Sequence, residues 1–566
     1  MFKYAIVPYS RMSDDTVSRR GFLKAAGAAT VVATSTAGCT DSGGGGDGGG
    51  DELVYSRGDH PQNYDPQQTT SGEVSKVTNQ IFDTLIQFKP GTSGELTSGL
   101  ADDWTLDGTT ATLTLREDAT FHSGADLTAT DVKATIRRFI DDEYDYYLGS
   151  DRSGYASITF GDWVDSVEAT GDYEVTIDLT QQYAPFLRNL AIFAAAILSR
   201  DQIESLGADA QPELGTDPVG TGPFEFDQLD NETQRVRLTA FDDYWGGAPS
   251  VSAVIFKTTG SNQTRAQGLI NGDAHITDNL DAQSIQKVSS ADSASVRQKN
   301  GINVGYMAFN HDRKPAFRDP LVKRAISMAI NRDEIVDSIY QGFAASANQP
   351  LPPDVLGHND DIDSYPHDPQ QAESMLADAG VTDLSFELAT FSNPRGYNPN
   401  PIQTATQVKS DLAEIGVDVE INQFSQFSAY LEYTYDGRHD ACLSGWYTDN
   451  ADPDNFMYVL LHPGTDIDDV PADQNYIAWE DKNNVSNVSA WVDTDYMEFV
   501  DKGQRTYDDA ARQQYYHQAS QIAHDQAPWV YLDYADLIRG VNEAVVAESY
   551  TPTSVGGPFL DRVELA

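Results

Sequence analysis

Apolar and polar residues alternate with period two from Thr110 to Leu115 (Thr-Ala-Thr-Leu-Thr-Leu) and again from Tyr173 to Leu179, the spacing of a strand with one buried face. Other stretches carry helical spacing. Val74, Val77, Ile81 and Leu85 fall on one face of a helix, and Asp319-Pro320 supplies an N-cap and a first-turn proline ahead of a helix from Leu321 to Ile330. Asp368-Pro369 repeats that start, with Gly380 ending the helix. A helix from Ile402 to Ile415 closes at Gly416 and runs into a strand from Val417 to Phe424, an α-to-β unit. The mixture predicts α/β layers, with no internal repeat. The chain's 566 residues correspond to three or four units of ~150 residues, or fewer large ones, and we expect two lobes.

One apolar run differs from the rest. Ser18-Arg-Arg-Gly-Phe-Leu-Lys24 precedes the small-residue stretch Ala25 to Ala37, which ends in Thr36-Ala-Gly-Cys39. A positive start, a weakly hydrophobic middle and small residues at the end make an export signal too short to span a membrane. The pair Arg19-Arg20 resembles a twin-arginine signal, and Cys39 a lipobox cysteine that becomes the first mature residue and carries a lipid, although Thr36 stands where a lipobox usually has Leu. Met12 precedes a more conventional signal than Met1 does. Gly43 to Gly50, broken only by Asp47, reads as a flexible tether. No later run reaches membrane length.

Composition narrows the function. Asp and Glu number 87 against 37 Lys and Arg, a formal charge of -50, which argues against a nucleic-acid partner because that needs clustered cations. Aromatic residues make up 10% of the chain, enough for a folded core rather than a disordered acidic chain. So many carboxylates repel one another unless salt screens them, and at molar salt the Debye length falls to roughly 3 Å; a salt-rich, halophilic setting is the leading explanation. The leader carries a net +3, which leaves the remainder near -53. Acidic pairs such as Asp141-Asp142 and Asp468-Asp469 lack the alternating spacing of a calcium loop. Cys39 and Cys442 are the two cysteines, so no disulfide framework exists, and Cys442 reads as an inert buried thiol. There is no Gly-x-Ser-x-Gly, His-Glu-x-x-His, Walker loop or dinucleotide fingerprint, and His60, His122 and His275 lack metal-site companions. No enzyme activity, metal or cofactor is expected. A glycosidase needs only two carboxylates, which 87 acids cannot exclude.

Four segments carry a resemblance: Pro218-Val-Gly-Thr-Gly-Pro-Phe224, Phe241-Asp-Asp-Tyr-Trp-Gly-Gly-Ala-Pro249, Phe317-Arg-Asp-Pro-Leu-Val-Lys-Arg-Ala-Ile326 and Gly445-Trp-Tyr-Thr-Asp-Asn-Ala-Asp-Pro-Asp-Asn-Phe456. From about Leu53 onward the chain resembles the extracytoplasmic peptide-binding proteins of ABC importers, the peptide/nickel-binding family, and within it the dipeptide binders. The resemblance implies a two-lobe periplasmic-binding-protein-like clamp of type II, in the large cluster C form, with an extra subdomain in the first lobe. Lobe I would comprise residues 51–302 plus 531–566, with an insertion at about 90–215, and lobe II residues 303–530, after a signal at 1–38 and a lipidated linker at 39–52. Hinge crossings would lie near Asn303-Val-Gly305 and Pro528-Trp-Val530. The implied partners are a peptide ligand, a permease with its ATPase, and the outer face of the cell membrane through the lipid; the implied state is a monomer. Receptors of this fold for longer peptides, sugars, haem or a nickel chelate are the alternatives.

For a dipeptide zwitterion the resemblance places the ligand carboxylate on Arg395, in Pro394-Arg-Gly-Tyr-Asn-Pro-Asn400, and its ammonium on Asp449, with Asp452 and Asp454 as the alternative acids. Arg395 has support of its own: residues 381–450 hold ten acids but three basic residues, Arg395, Lys409 and Arg438. A two-residue ligand spans roughly 7 Å, so the two groups should sit about 10 to 13 Å apart on one cleft wall. Main-chain contacts are expected from Thr70-Ser71-Gly72 and Gly445-Trp446, glycine allowing close backbone approach, and side-chain pockets from Trp446, Tyr447 and Tyr397. The patterns Asn231-Glu-Thr, Asn262-Gln-Thr, Asn484-Val-Ser and Asn487-Val-Ser permit glycosylation.

Overall fold

The predicted elements form where their punctuation places them. In a computed structural model of the protein, strands cover Thr110–Leu115 and Glu174–Leu179, and helices cover Gly72–Ile81, Pro320–Ala329, Pro369–Asp378 and Pro401–Glu414. The last three share one start, an Asx cap followed by proline. Asp319 accepts from Leu321 N (2.8 Å), Asp368 from Gln371 N (2.9 Å) and Asn400 from Gln403 N (3.3 Å). Each satisfies an amide that the first turn would leave bare, worth about 1 kcal/mol. Leu85 lies beyond its helix, which ends at Ile81, but is buried all the same. The structure describes residues 51–566 except 70, 150–154, 156, 162 and 472–473. The leader, Cys39, the glycine tract and Thr70 lie outside the described residues.

Two large sheets organise the compact unit that runs from Gly50 to Ala566. One has seven strands, in the order Ala294–Lys299, Leu537–Asn542, Ile276–Thr277, Glu52–Arg57, Ala253–Thr258, Arg235–Ala240, Phe224–Asp230. The other has six, in the order Ala344–Ser346, Trp529–Ala535, Asn303–Phe309, Ala441–Tyr447, Ser385–Phe391, Asp418–Phe424. Between the helix Gly72–Ile81 and the strand Phe224–Asp230 the chain builds a four-stranded antiparallel sheet within residues 101–179. Its apolar residues, among them Leu113 and Ile177, belong to the same buried cluster as Phe456, Trp491 and Trp529 of the six-stranded region.

The chain passes from one large sheet to the other at residues 300–302 and returns at Asp536. The return lies beyond the expected Pro528-Trp-Val530 because Trp529–Ala535 is buried along its whole length in the six-stranded sheet. Its neighbour Asn303–Phe309 is equally buried, and the rings of Tyr306 and Trp529 stack at 3.7 Å. At the crossing, Asn303 Nδ2 donates to the Ala535 carbonyl (2.7 Å) while Ala535 N donates to Asn303 Oδ1 (3.0 Å).

Replacing Asn303 with Ala strips both partners from a buried backbone amide and carbonyl. The expected cost is about 1–3 kcal/mol in urea unfolding, with an unchanged m-value; a loss below about 0.5 kcal/mol would show that water replaces the side chain there.

Candidate functional site

Ser385–Phe391 and Ala441–Tyr447 are neighbouring parallel strands, so the loops that follow them leave the same edge of the sheet, where open α/β sheets bind ligands. Arg395 lies four residues past the first strand and Asp449 two past the second. The loops interlock. A side chain at Gly445 would run into the Tyr397 ring, and one at Gly396 into the Tyr447 ring. Tyr397 thus packs closely against Gly445. A tight turn holds Arg395 in place, since Arg395 N donates to the Asn398 carbonyl (2.8 Å) and Asn398 N to the Arg395 carbonyl (3.0 Å).

The half-buried Arg395 guanidinium lies over the Phe427 ring, 3.7 Å from its centroid. Its Nε is buried without a hydrogen-bond partner, and among the described residues no carboxylate pairs with it. Stacking orients the guanidinium plane but leaves its donors unused.

Asp449 is its counterpart: half-buried, with no cation beside it among the described residues. Oδ1 accepts from the Tyr155 hydroxyl (2.5 Å), and Asn455 Nδ2 approaches Oδ2 at 3.5 Å. Burial pushes its carboxyl up to about 6, against the opposing pull of these two bonds. Asn455 Oδ1 gathers three donors, Trp446 Nε1 (2.9 Å), Thr448 Oγ1 (3.0 Å) and Asp449 N (3.0 Å). That cluster pins the loop and leaves the Trp446 ring partly exposed. The two alternative acids have other employment. Asp452 is fully buried and held by Arg512 Nη2 at 2.7 and 3.0 Å; Asp454 is buried, accepts from the Tyr183 hydroxyl (3.2 Å), and is pushed by burial up to about 7.

Strand Ala441–Tyr447 pairs with Ser385–Phe391 only at Ala441 and Cys442. Among the described residues, positions 444–447 have no strand partner on that side. Ser71 and Gly72 stand apart from this group. Ser71 caps the helix Gly72–Ile81 by accepting from Glu73 N (3.2 Å), and nothing lies near the position a Gly72 side chain would take. No hydrogen bond or ring contact joins them to Arg395 or Asp449 among the described residues.

Three of the four signature segments serve architecture. Thr221 from the first and Tyr244 and Trp245 from the second converge on buried Asp83, donating at 3.1, 3.1 and 2.8 Å, with Gln87 Nε2 at 2.9 Å. Asp83, Gln87, Tyr244 and Trp245 line a cavity of about 180 Å³, but the Asp83 carboxylate is already satisfied. The third caps its helix through Asp319. Cys442 is buried, which pushes its thiol up to about 12. No cluster of three metal-ligating side chains occurs among the described residues, and no helix there is long and apolar enough to cross a membrane.

The family described as bacterial extracellular solute-binding proteins, family 5 middle, matches residues 95–468. That match spans well over half of the chain. This protein belongs to the family 5 extracellular solute-binding proteins. The dipeptide-binding protein of Escherichia coli (strain K12) is 30% identical to it over 526 residues, covering 91% of this chain and 94% of that one. A solved dipeptide-binding protein from Pseudoalteromonas sp. SM9913, in complex with Met-Leu, superposes with a TM-score of 0.78 at 27% identity, covering 91% of this chain and all of its own. The ABC transporter-associated periplasmic binding protein of Helicobacter pylori, in complex with the peptide STSA, gives 0.77 at 30% identity, covering 91% and 98%. The α/β architecture is thus the two-lobed type II binding-protein fold, as the resemblance implied.

In this binding protein, residues that sequence inspection passed over support the site. Phe427 and Asn455 are two, and Tyr340 with Asp533 form a third support. The Tyr340 hydroxyl lies 2.8 Å from the Tyr397 carbonyl and 2.7 Å from Asp533 Oδ2. A hydroxyl has one proton, so a protonated Asp533 that donates to the Tyr340 oxygen leaves the Tyr340 proton for Tyr397. Gly305 makes room, because a side chain there would meet both Asp533 and the Tyr397 carbonyl. Burial pushes Asp533 up to about 8. Nothing in the sequence around an isolated strand aspartate signals this role.

The sign of the pH effect follows. The folded protein keeps the Asp533 proton up to about pH 8, whereas the unfolded chain releases it near its ordinary value of about 3.9. The stabilisation from that proton is complete below pH ~4 and lost as pH rises through 8. Stability of the wild type relative to Asp533→Asn, which mimics the neutral acid, should fall by up to about 1.4 kcal/mol per pH unit in this window. Urea unfolding of both proteins at pH 5 to 9 measures the difference; parallel profiles would mean an ionised Asp533.

Proposed function

We propose that this protein is the substrate-binding component of an ABC importer, capturing dipeptides or short peptides between its lobes and handing them to a membrane permease without catalysing a reaction. One observation carries the reading: an arginine with no carboxylate and an aspartate with no cation, both half-buried, leave the same edge of two neighbouring parallel strands. Unpaired charges out of water are costly, and a zwitterion supplies both missing partners. The ligand carboxylate docks on Arg395, whose plane Phe427 holds for a bidentate pair. The ammonium docks on Asp449 and favours its ionised form. The free strand edge at 444–447 accepts the peptide main chain, and Trp446, Tyr447 and Tyr397 shape the side-chain pockets. Ser71, Gly72 and Thr70 contribute from the other lobe.

In this reading lobe I comprises residues 51–300 and 537–566, and lobe II residues 303–535, with the insertion at about 90–215 closing against lobe II. Tyr155 and Tyr183 of the insertion meet Asp449 and Asp454, contacts that opening would break. Export through the twin-arginine leader and lipidation at Cys39 would tether a monomer to the outer face of the membrane, its acidic surface suited to high salt. The resemblances to proteins solved with Met-Leu and STSA support a peptide ligand. The glycosidase reading has less support, because Asp452, the acid nearest Asp449 in sequence, is neutralised by Arg512.

Calorimetry in high salt with a dipeptide panel and its N-acetylated forms tests this. We expect stoichiometric binding without turnover, weakened at least ~30-fold by Arg395→Ala, the usual consequence of losing one partner of a buried charged pair, about 2–5 kcal/mol. Asp449→Asn and N-acetylation should weaken it as well. Saturable binding that survives both N-acetylation and Arg395→Ala would refute the two-ended model.

A further inference from the structure

The four Asn-x-Ser/Thr patterns are not used by ligand binding, and the structure separates them. N-glycosylation joins a sugar to the asparagine Nδ2, so that atom must be reachable and uncommitted. Asn487 is fully buried and its Nδ2 donates to the Leu461 carbonyl at 2.9 Å. Asn484 Nδ2 donates to the carbonyls of Tyr458 (2.7 Å) and His462 (3.2 Å). Asn262 is the first residue of the helix Asn262–Asn271; its Nδ2 approaches Asp281 Oδ2 at 3.3 Å and its Oδ1 accepts from Arg265 Nη2. Each of these three amides is therefore held by the fold.

Asn231 is different. It is exposed, in the four-residue connection between the antiparallel strands Phe224–Asp230 and Arg235–Ala240. Its side chain meets only the His60 ring, through Oδ1 at 3.2 Å, and among the described residues its Nδ2 has no partner. Asp230 fixes the turn, accepting from Glu232 N (2.9 Å), Thr233 N (3.0 Å) and Thr233 Oγ1 (2.7 Å). The pattern's threonine is thus presented beside the asparagine on an exposed turn. Phe224–Asp230 ends the seven-stranded sheet, so nothing from that sheet flanks the connection on its outer side.

We infer that Asn231 is an N-glycosylation site, and the one site of the four, in this extracellular family member. The sugar donor is an oligosaccharide linked through phosphate to a lipid. The Asn231 Nδ2 forms the bond to the sugar's C1 as the C1–O bond to phosphate breaks; the phosphate leaves with the electron pair and the amide loses one proton, with no oxidation or reduction.

The full-length protein, purified from cells of its own source, is digested and its peptides are weighed. The peptide holding Asn231 should carry a hexose- or pentose-type mass increment that disappears in Asn231→Gln and Thr233→Ala and persists in Thr233→Ser. Peptides with Asn262, Asn484 and Asn487 should have unmodified masses. An unmodified Asn231 peptide overturns the inference, and so does an increment at any of the other three. Because Asn231 is exposed and away from the core, circular dichroism of the Gln variant should match the wild type, which separates loss of the acceptor from loss of the fold.

Discussion

Asn303 and Ala535 exchange two hydrogen bonds at the place where both connections between the large sheets leave the six-stranded one. Each strand beyond that point is buried on both faces, so neither can shift register without withdrawing apolar side chains from the core. The crossing also reaches the strand edge that carries Arg395 and Asp449. Thr448 N donates to the Ile302 carbonyl at 3.1 Å, tying the loop of Asp449 to the outgoing connection, while Asp533, two residues before Ala535, reaches Tyr397 through Tyr340. The crossing and the candidate site therefore share backbone and hydrogen bonds. A change in the angle between lobes and a change in loop position are not independent events in such an arrangement.

Charge is deployed in two ways. Most acids of this chain lie on the surface, where salt screens them. A few lie inside, and the fold treats each differently. Asp452 is neutralised by Arg512, while Asp83 is surrounded by donors. Asp533 is held neutral by burial. Asp449 and Arg395 are half-buried on the same strand edge and, among the described residues, left without counter-charge, the incompleteness on which the proposed site rests. Against a net charge of -50, an arginine without a carboxylate partner is a local exception to the field of the whole chain.

Much of the fold is legible along the chain. Asp319-Pro320, Asp368-Pro369 and Asn400-Pro401 announce their helices because the cap and the proline act within a few residues. The period-two run at Thr110–Leu115 becomes a strand for an equally local reason. The return crossing was less legible: Pro528-Trp-Val530 looks like a break, yet the strand that follows continues to Ala535 because its neighbours cover it. Three of the four segments that carry the family resemblance do so through architecture, since they satisfy Asp83 and cap a helix.

Local chemistry by itself determined the helix starts, the half-buried strands, the acidic surface and, by the scarcity of cations around it, the prominence of Arg395. Tertiary structure decided that Arg395 and Asp449 leave one strand edge, that Tyr397 packs against Gly445, and that Phe427, Asn455, Tyr340 and Asp533 hold these loops. It also decided which of four Asn-x-Ser/Thr patterns leaves its amide free among the described residues. The division has one physical cause. Caps and periodicities are interactions between residues a few positions apart, whereas an unpaired charge or an uncommitted amide is defined by what distant segments do or do not bring beside it.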